Sequence, residues 1–305
     1  MNRVRIGSRG SALALAQSNW VKQQIEAHYP DLQVELSIIK TSGDRFSDRP
    51  ISMLGGKGVF TKEIEDALLN QTIDLAVHSM KDLPTELPAG LTIAAVPVRE
   101  DARDVLVSRN GLKIADLAPS ARIATGSLRR QAQLLHHRGD LVVVPIRGNV
   151  DTRLRKLDEG EADALIMAAA GLIRIGRAER IGEILPDEIC VSAVAQGALA
   201  IETRGDATVR QLLSFLHNST SEAETRAERA LLRSLSGGCH VPIGARARVD
   251  GNALNMIAVV ASPDGATLCR AQLTGEAQEG EQLGACLADE LRRQGADKIL
   301  ARVDS

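Results

Sequence analysis

Short apolar runs rich in β-branched residues alternate with stretches of helical periodicity over the first two-thirds of the chain. Strands are predicted at 4–7, 34–39, 75–78, 91–96, 105–108, 122–125, 141–146 and 164–167. Between several of them the apolar positions recur at helical spacing. Leu13, Ala16, Trp20, Val21 and Ile25 make one face, and Phe60, Ile64, Ala67 and Leu68 a second. Leu128, Ala132 and Leu135 make a third, with Leu154 and Leu157 part of a fourth. Alternating strands and helices with continuous apolar strands indicate parallel-rich sheets covered by helices, the α/β class.

The pattern changes near residue 218. A long helix is predicted from 219 to about 236, with Ala223, Ala227, Ala230, Leu231 and Leu235 spaced along it. Strands come next at 243–249, 254–260 and 268–273, linked by the turn signals Asp250-Gly251-Asn252 and Pro263-Asp264-Gly265. A last helix carries Leu283, Cys286, Leu287 and Leu291 on one face. This is a C-terminal α+β domain. The α/β part before it is long enough for two domains, and the stretch 99–108 is a candidate crossover between them. The loop 41–58 is polar and long enough to be mobile.

Composition narrows the functional classes. The 305 residues carry a formal net charge of −2, so no global field draws the chain to phosphate backbones or anionic lipid. Five aromatic residues are too few for a base-stacking platform. The longest near-continuous apolar run, 164–173, is too short to span a bilayer. Cys190, Cys239, Cys269 and Cys286 form no CxxC pair and no zinc-ligand spacing, and read as reduced thiols of a cytoplasmic protein. Of 37 basic residues only eight are Lys, leaving 29 Arg. The guanidinium fork suits carboxylates and phosphates.

The ends of the predicted strands are more specific. Ser8-Arg9-Gly10-Ser11, Ser79-Met80-Lys81-Asp82, Thr125-Gly126-Ser127-Leu128-Arg129-Arg130 and Arg147-Gly148-Asn149-Val150-Asp151-Thr152-Arg153 each come directly after such a strand. Ligands of open α/β sheets bind at the carboxyl ends of strands, where helix N-termini offer unpaired N–H groups. The same hydroxyls and amides also cap helices without any ligand. Neither a P-loop nor a G-x-G-x-x-G motif is present, which turns the arginine forks towards carboxylates.

Asp82 is the one acid in this basic set. Among cations a carboxylate stays ionised, suited to stabilise developing positive charge or to exchange protons with a nitrogen. A turn-forming Asp ahead of Leu83-Pro84 reads the same way. Cys190, Cys269 and Cys286 read as packing residues. Cys239 lies instead in the loop Ser236-Gly237-Gly238-Cys239-His240-Val241-Pro242-Ile243-Gly244, which can present a thiolate as nucleophile or attachment point, or hold an ordinary loop cysteine.

These segments resemble the porphobilinogen deaminase family. The motifs are Ile6-Gly7-Ser8-Arg9-Gly10-Ser11, Gly55-Gly56-Lys57-Gly58-Val59-Phe60, Ala76-Val77-His78-Ser79-Met80-Lys81-Asp82, Ser127-Leu128-Arg129-Arg130-Gln131, Ile146-Arg147-Gly148-Asn149-Val150 and the Cys239 loop, in the family's order along nearly the whole chain. The resemblance implies two domains like type II periplasmic binding proteins, at 1–98 with 196–217 and at 99–195, and a third domain at 218–305. It implies a dipyrromethane built from substrate and held by Cys239 through a thioether, onto which porphobilinogen is condensed with loss of ammonia, giving hydroxymethylbilane.

By the same resemblance Asp82 is the catalytic acid. Lys81, Asp82, Ser127, Arg129, Arg130, Arg147 and Gly148 hold the cofactor. Arg9, Ser11, Lys57, Thr125, Arg147, Arg153, Arg174 and Gln196 hold substrate. A cytoplasmic monomer without metal is implied. Gly126, Ala195 and His240 depart from the family's usual residues. The competing reading is a binding module that kept an anion cleft without chemistry; such a module needs neither Cys239 nor Asp82.

Overall fold

The computed structural model describes residues 2–45, 59–235 and 241–303. Lys57, Cys239, His240 and most of the loop 41–58 lie outside them. The chain divides into two compact units, Met1–Arg99 with Ala198–Ser221, and Glu100–Gly197 with Glu222–Ser305.

In the first unit, β1 (Arg3–Ser8), α1 (Ala12–His28), β2 (Gln33–Ile38), α2 (Ser42–Arg45), α3 (Lys62–Leu69), β3 (Leu75–Ser79) and β4 (Leu91–Ala95) come from the N-terminal stretch. The second unit continues with β5 (Asp104–Ser108), β6 (Arg122–Ala124), α4 (Leu128–His137), β7 (Val142–Val144), α5 (Val150–Asp158), β8 (Ala164–Ala168), α6 (Ala169–Arg174) and β9 (Glu183–Ile184). The chain then returns to the first unit as β10 (Leu199–Arg204) and α7 (Ala207–Leu212).

The two five-stranded sheets share one plan. Their orders are β2-β1-β3-β10-β4 and β7-β6-β8-β5-β9. In each, three parallel strands are followed by one antiparallel strand, β10 or β5, that enters directly after the chain has crossed from the other unit. The sheets are therefore mixed rather than simply parallel-rich. Val4, Ile6, Val21, Ile25, Leu75 and Ile201 close the first core. Val105, Val107, Leu154, Leu157 and Leu165 close one face of the second sheet, and Leu106, Ile123, Leu134 and Ile166 the other.

Two helix faces differ from the sequence expectation. On α1 the buried positions are Gln17, Ser18, Val21 and Ile25, while Trp20 is 40% exposed. Ser18 donates to Ser8 Oγ at 2.9 Å, so a hydrogen-bonded polar pair stands on the buried face. On α4 the buried positions include Arg129, Arg130 and Gln133. Ala132 and Leu134 are buried beside them, so charged and apolar side chains share that face.

The C-terminal part follows expectation more closely. α8 (Ser219–Ser234) leads to the antiparallel meander β11 (Ile243–Asp250), β12 (Ala253–Ala261) and β13 (Leu268–Glu276), then α9 (Gly280–Arg293) and α10 (Ala296–Ala301). A Cβ at Gly284 would lie 2.3 Å from the Ala227 carbonyl oxygen, so the α9–α8 approach requires glycine. The β11 edge is covered: Ala247 N–H donates to Glu228 and Val249 N–H to Glu224. Cys269 is buried, but Cys286 is exposed, so the expected packing role of Cys286 is not realised.

The return segment is held tightly within the second unit. Ala195 N–H donates to buried Glu228 at 2.6 Å, and Gly197 O accepts from Glu100 N–H and from Arg174. Gly197 has φ +86°, and a Cβ there would sit 2.3 Å from the Glu100 carbonyl oxygen. Gly197→Ala should lower unfolding stability by more than about 1 kcal/mol in urea titration, because clash adds to strain.

Candidate functional site

In the first unit the sites cluster where β1 and β3 end. The turn after β3 is built on Met80, 1% exposed, whose N–H donates to Ala198 O and whose carbonyl accepts from Leu83 N–H. That anchor turns Lys81 and Asp82 outward, and the Asp82 side chain is exposed. A cavity here is lined by Arg9, Ser11, Gln17, Phe60, Thr61, His78, Ser79 and Asp82, among others. The Arg9 guanidinium lies 4.2 Å over the Phe60 ring. Ser11 accepts from Ala14 N–H and so caps α1; its own hydroxyl proton stays available to an acceptor. Gln17 and Ser79 hydrogen-bond each other at 2.9 Å.

Sequence reasoning missed Gln17, Phe60, Thr61 and His78 as cavity residues. His78 and Phe60 stood inside the quoted motifs. Gln17 and Thr61 carried no signal, because their place depends on how α1 and α3 sit on the sheet.

The second unit collects another set. Asp104, fully buried at the start of β5, is the hub. Arg129 donates to its Oδ2 at 2.6 Å, and Arg130 to Oδ1 through Nη2 at 2.7 Å and Nε at 3.0 Å. Gln196 donates to Oδ1 at 2.8 Å. Burial alone would raise the Asp104 carboxyl, but the two guanidiniums together hold it far below the usual carboxylate range. Sequence reasoning did not single out Asp104. Burial pushes the neighbouring Cys190 thiol up to about 12, so it is an inert packing thiol.

Two guanidiniums against one carboxylate leave one net positive charge in this buried group. Arg174, half-buried, has its guanidinium pushed down to about 10 by burial, with Glu100 opposing the shift. Ser127 caps α4 and Thr125 accepts from Ser127 N–H. Arg153 donates to the carbonyl of Gly148, which has φ +114°. Arg147 is exposed. Thus Arg9, Ser11, Lys81 and Asp82 stand in one unit, and Thr125, Ser127, Arg129, Arg130, Arg147, Gly148, Arg153, Arg174 and Gln196 in the other.

Within the first unit, Asp82 offers an acceptor for an N–H donor, and Arg9 with Ser11 suits a carboxylate. Within the second, the Asp104-linked arginine pair carries one positive charge more than its carboxylate balances. Among the described residues no group of His, Cys, Asp and Glu has the arrangement of a metal site. Nor is any helix there long and apolar enough to cross a membrane.

Comparison with known proteins gives a concordant answer. Residues 4–211 match the model of the porphobilinogen deaminase dipyrromethane cofactor-binding domain, and residues 223–293 that of the porphobilinogen deaminase C-terminal domain. The porphobilinogen deaminase of Desulforudis audaxviator is 52% identical over 98% of this chain and 97% of its own length. That of Chlorobium chlorochromatii is 48% identical over 98% and 97%. The solved methionine-binding protein MetQ is a distant likeness, 14% identical with a TM-score of 0.42 over 70% of this chain and 87% of its own. With both family segments matched in order over nearly the full length, this chain belongs to the porphobilinogen deaminase family.

Proposed function

We propose that the chain condenses four porphobilinogen molecules head to tail on a dipyrromethane attached to Cys239, losing one ammonia at each addition, and that water then cleaves the tetrapyrrole from the retained dipyrromethane to release hydroxymethylbilane. Porphobilinogen deaminase activity, tetrapyrrole synthesis and the dipyrromethane cofactor follow from the family. The attachment residue and the roles of individual side chains are this reading's own.

The observation that carries it is the pairing of an exposed Asp82 carboxylate with Arg9 and Ser11 around one cavity. Loss of ammonia from porphobilinogen develops positive charge on a ring bearing an N–H. Asp82 accepts from such an N–H and stabilises that charge. Arg9, with Ser11 beside it, takes an acidic substituent; charge-assisted hydrogen bonds of this kind contribute about 1.5–3 kcal/mol each. A dipyrromethane held here would supply the free pyrrole carbon to which porphobilinogen units are added.

In the second unit the surplus charge of Arg129 and Arg130 draws further carboxylates, with Arg174 and Arg153 alongside. Lys81, Arg147 and Gly148 are assigned to the cofactor, and Lys57, Thr125 and Gln196 to substrate, on their motif positions. The three sheets support a three-domain division at 1–98 with 196–217, 99–195 and 218–305. The protein works as a cytoplasmic monomer without metal or nucleic acid.

Intact-mass spectrometry of the active protein tests this reading. The mass should exceed that of the polypeptide, with the excess on the peptide containing Cys239. An unmodified mass in a folded, active preparation would overturn the attachment.

A further inference from the structure

The wall of the first unit's cavity hides a group of acids and hydroxyls that the proposed reaction leaves unused. His78 on β3 is 6% exposed and lines the cavity. Behind it, Glu202 on β10 is fully buried, with its Oε2 3.0 Å from His78 Nε2. His78 Nε2 and both Glu202 oxygens are nonetheless without an aligned hydrogen bond, as is Oε1 of Glu65 on α3. Buried polar atoms left unpaired cost about 1–3 kcal/mol each, so a contact this short is worth closing.

We propose that Glu202 is a positioning residue that fixes the His78 tautomer with its proton on Nε2, leaving Nδ1 as a hydrogen-bond acceptor for an N–H of the substrate. The inference rests on the proposed site around Asp82. It makes the cavity bipolar. Arg9 and Ser11 supply donors for carboxylates, while His78 and Asp82 supply acceptors for the pyrrole N–H and the ammonium group. A neutral imidazole with only a short polar neighbour would sample both tautomers; a buried carboxylate on one nitrogen selects one.

The charges facing His78 are Glu202 from β10, Glu65 from α3, Asp82 from the turn after β3 and Arg9 from the loop after β1. Burial raises the Glu65 carboxyl, reinforced by Glu202 and opposed by Thr61 and His78.

Long-range proton–nitrogen correlation on the ¹⁵N-histidine-labelled holoenzyme reads the tautomer directly, with His78 assigned by its missing signal in His78→Gln. The Nε2–H form is expected in the wild type, and a mixture in Glu202→Gln. That variant should also lose about tenfold or more in kcat. A wild-type Nδ1–H form, or a folded Glu202→Gln with wild-type kcat and tautomer, would overturn the proposal. Should Glu202→Gln fail to fold, the wild-type spectrum still decides. Asp82→Asn assayed alongside separates the two ideas: full turnover there removes the site reading itself, whereas slow Asp82→Asn with normal Glu202→Gln removes only the role of Glu202.

Discussion

Asp82→Asn protein should fold, carry its primer and turn over porphobilinogen at least about 100-fold more slowly than the wild type. The substitution preserves shape and removes one negative charge. The turn itself is anchored by buried Met80 and its backbone bonds to Ala198 and Leu83, not by that charge. The loss should therefore fall on kcat, with the unfolding midpoint unchanged. A single-turnover assay with porphobilinogen checks it, and near-normal turnover would remove Asp82 from the reaction.

Asp104→Asn should have the opposite profile. Two buried guanidiniums then face a neutral amide, and breaking such a pair costs about 3–5 kcal/mol. Asp104 is held below its ordinary range in the folded state, so its contribution is full above the unfolded carboxylate's pKa. It is lost as pH falls through the lower folded value. The stability gap between wild type and variant, measured by urea titration, should be constant near neutrality and shrink as the medium becomes strongly acidic. A gap under about 1 kcal/mol at neutral pH would mean that the arginines find other partners.

The two variants mark how far the sequence could be read. Asp82 stands in a short contiguous motif behind an apolar strand, so local pattern alone marks it as a candidate. Asp104 is 25 residues from Arg129 and 92 from Gln196 along the chain, and no local pattern links them. β10 shows the same limit. Leu199–Arg204 includes Glu202 and Thr203, both fully buried, which break the apolar run by which a strand is recognised. Its long-range pairing with β3 and β4, not its composition, makes it a strand. On α4 the apolar positions pointed to Leu128, Ala132 and Leu135; Ala132 is buried, but the buried face also includes Arg129 and Arg130, which bind Asp104, and Gln133, which binds the Val191 backbone.

By itself the sequence determined the α/β class, the three turn-linked strands of the C-terminal α+β part and the motifs that identify the family, since each depends on spacing over a few residues. Tertiary structure alone decided which strands entered each sheet after the crossings, and that Asp104 and Glu202 were buried beneath the arginines and His78. Such pairings join residues far apart in the chain, and the burial of a charge is set by the partner that reaches it.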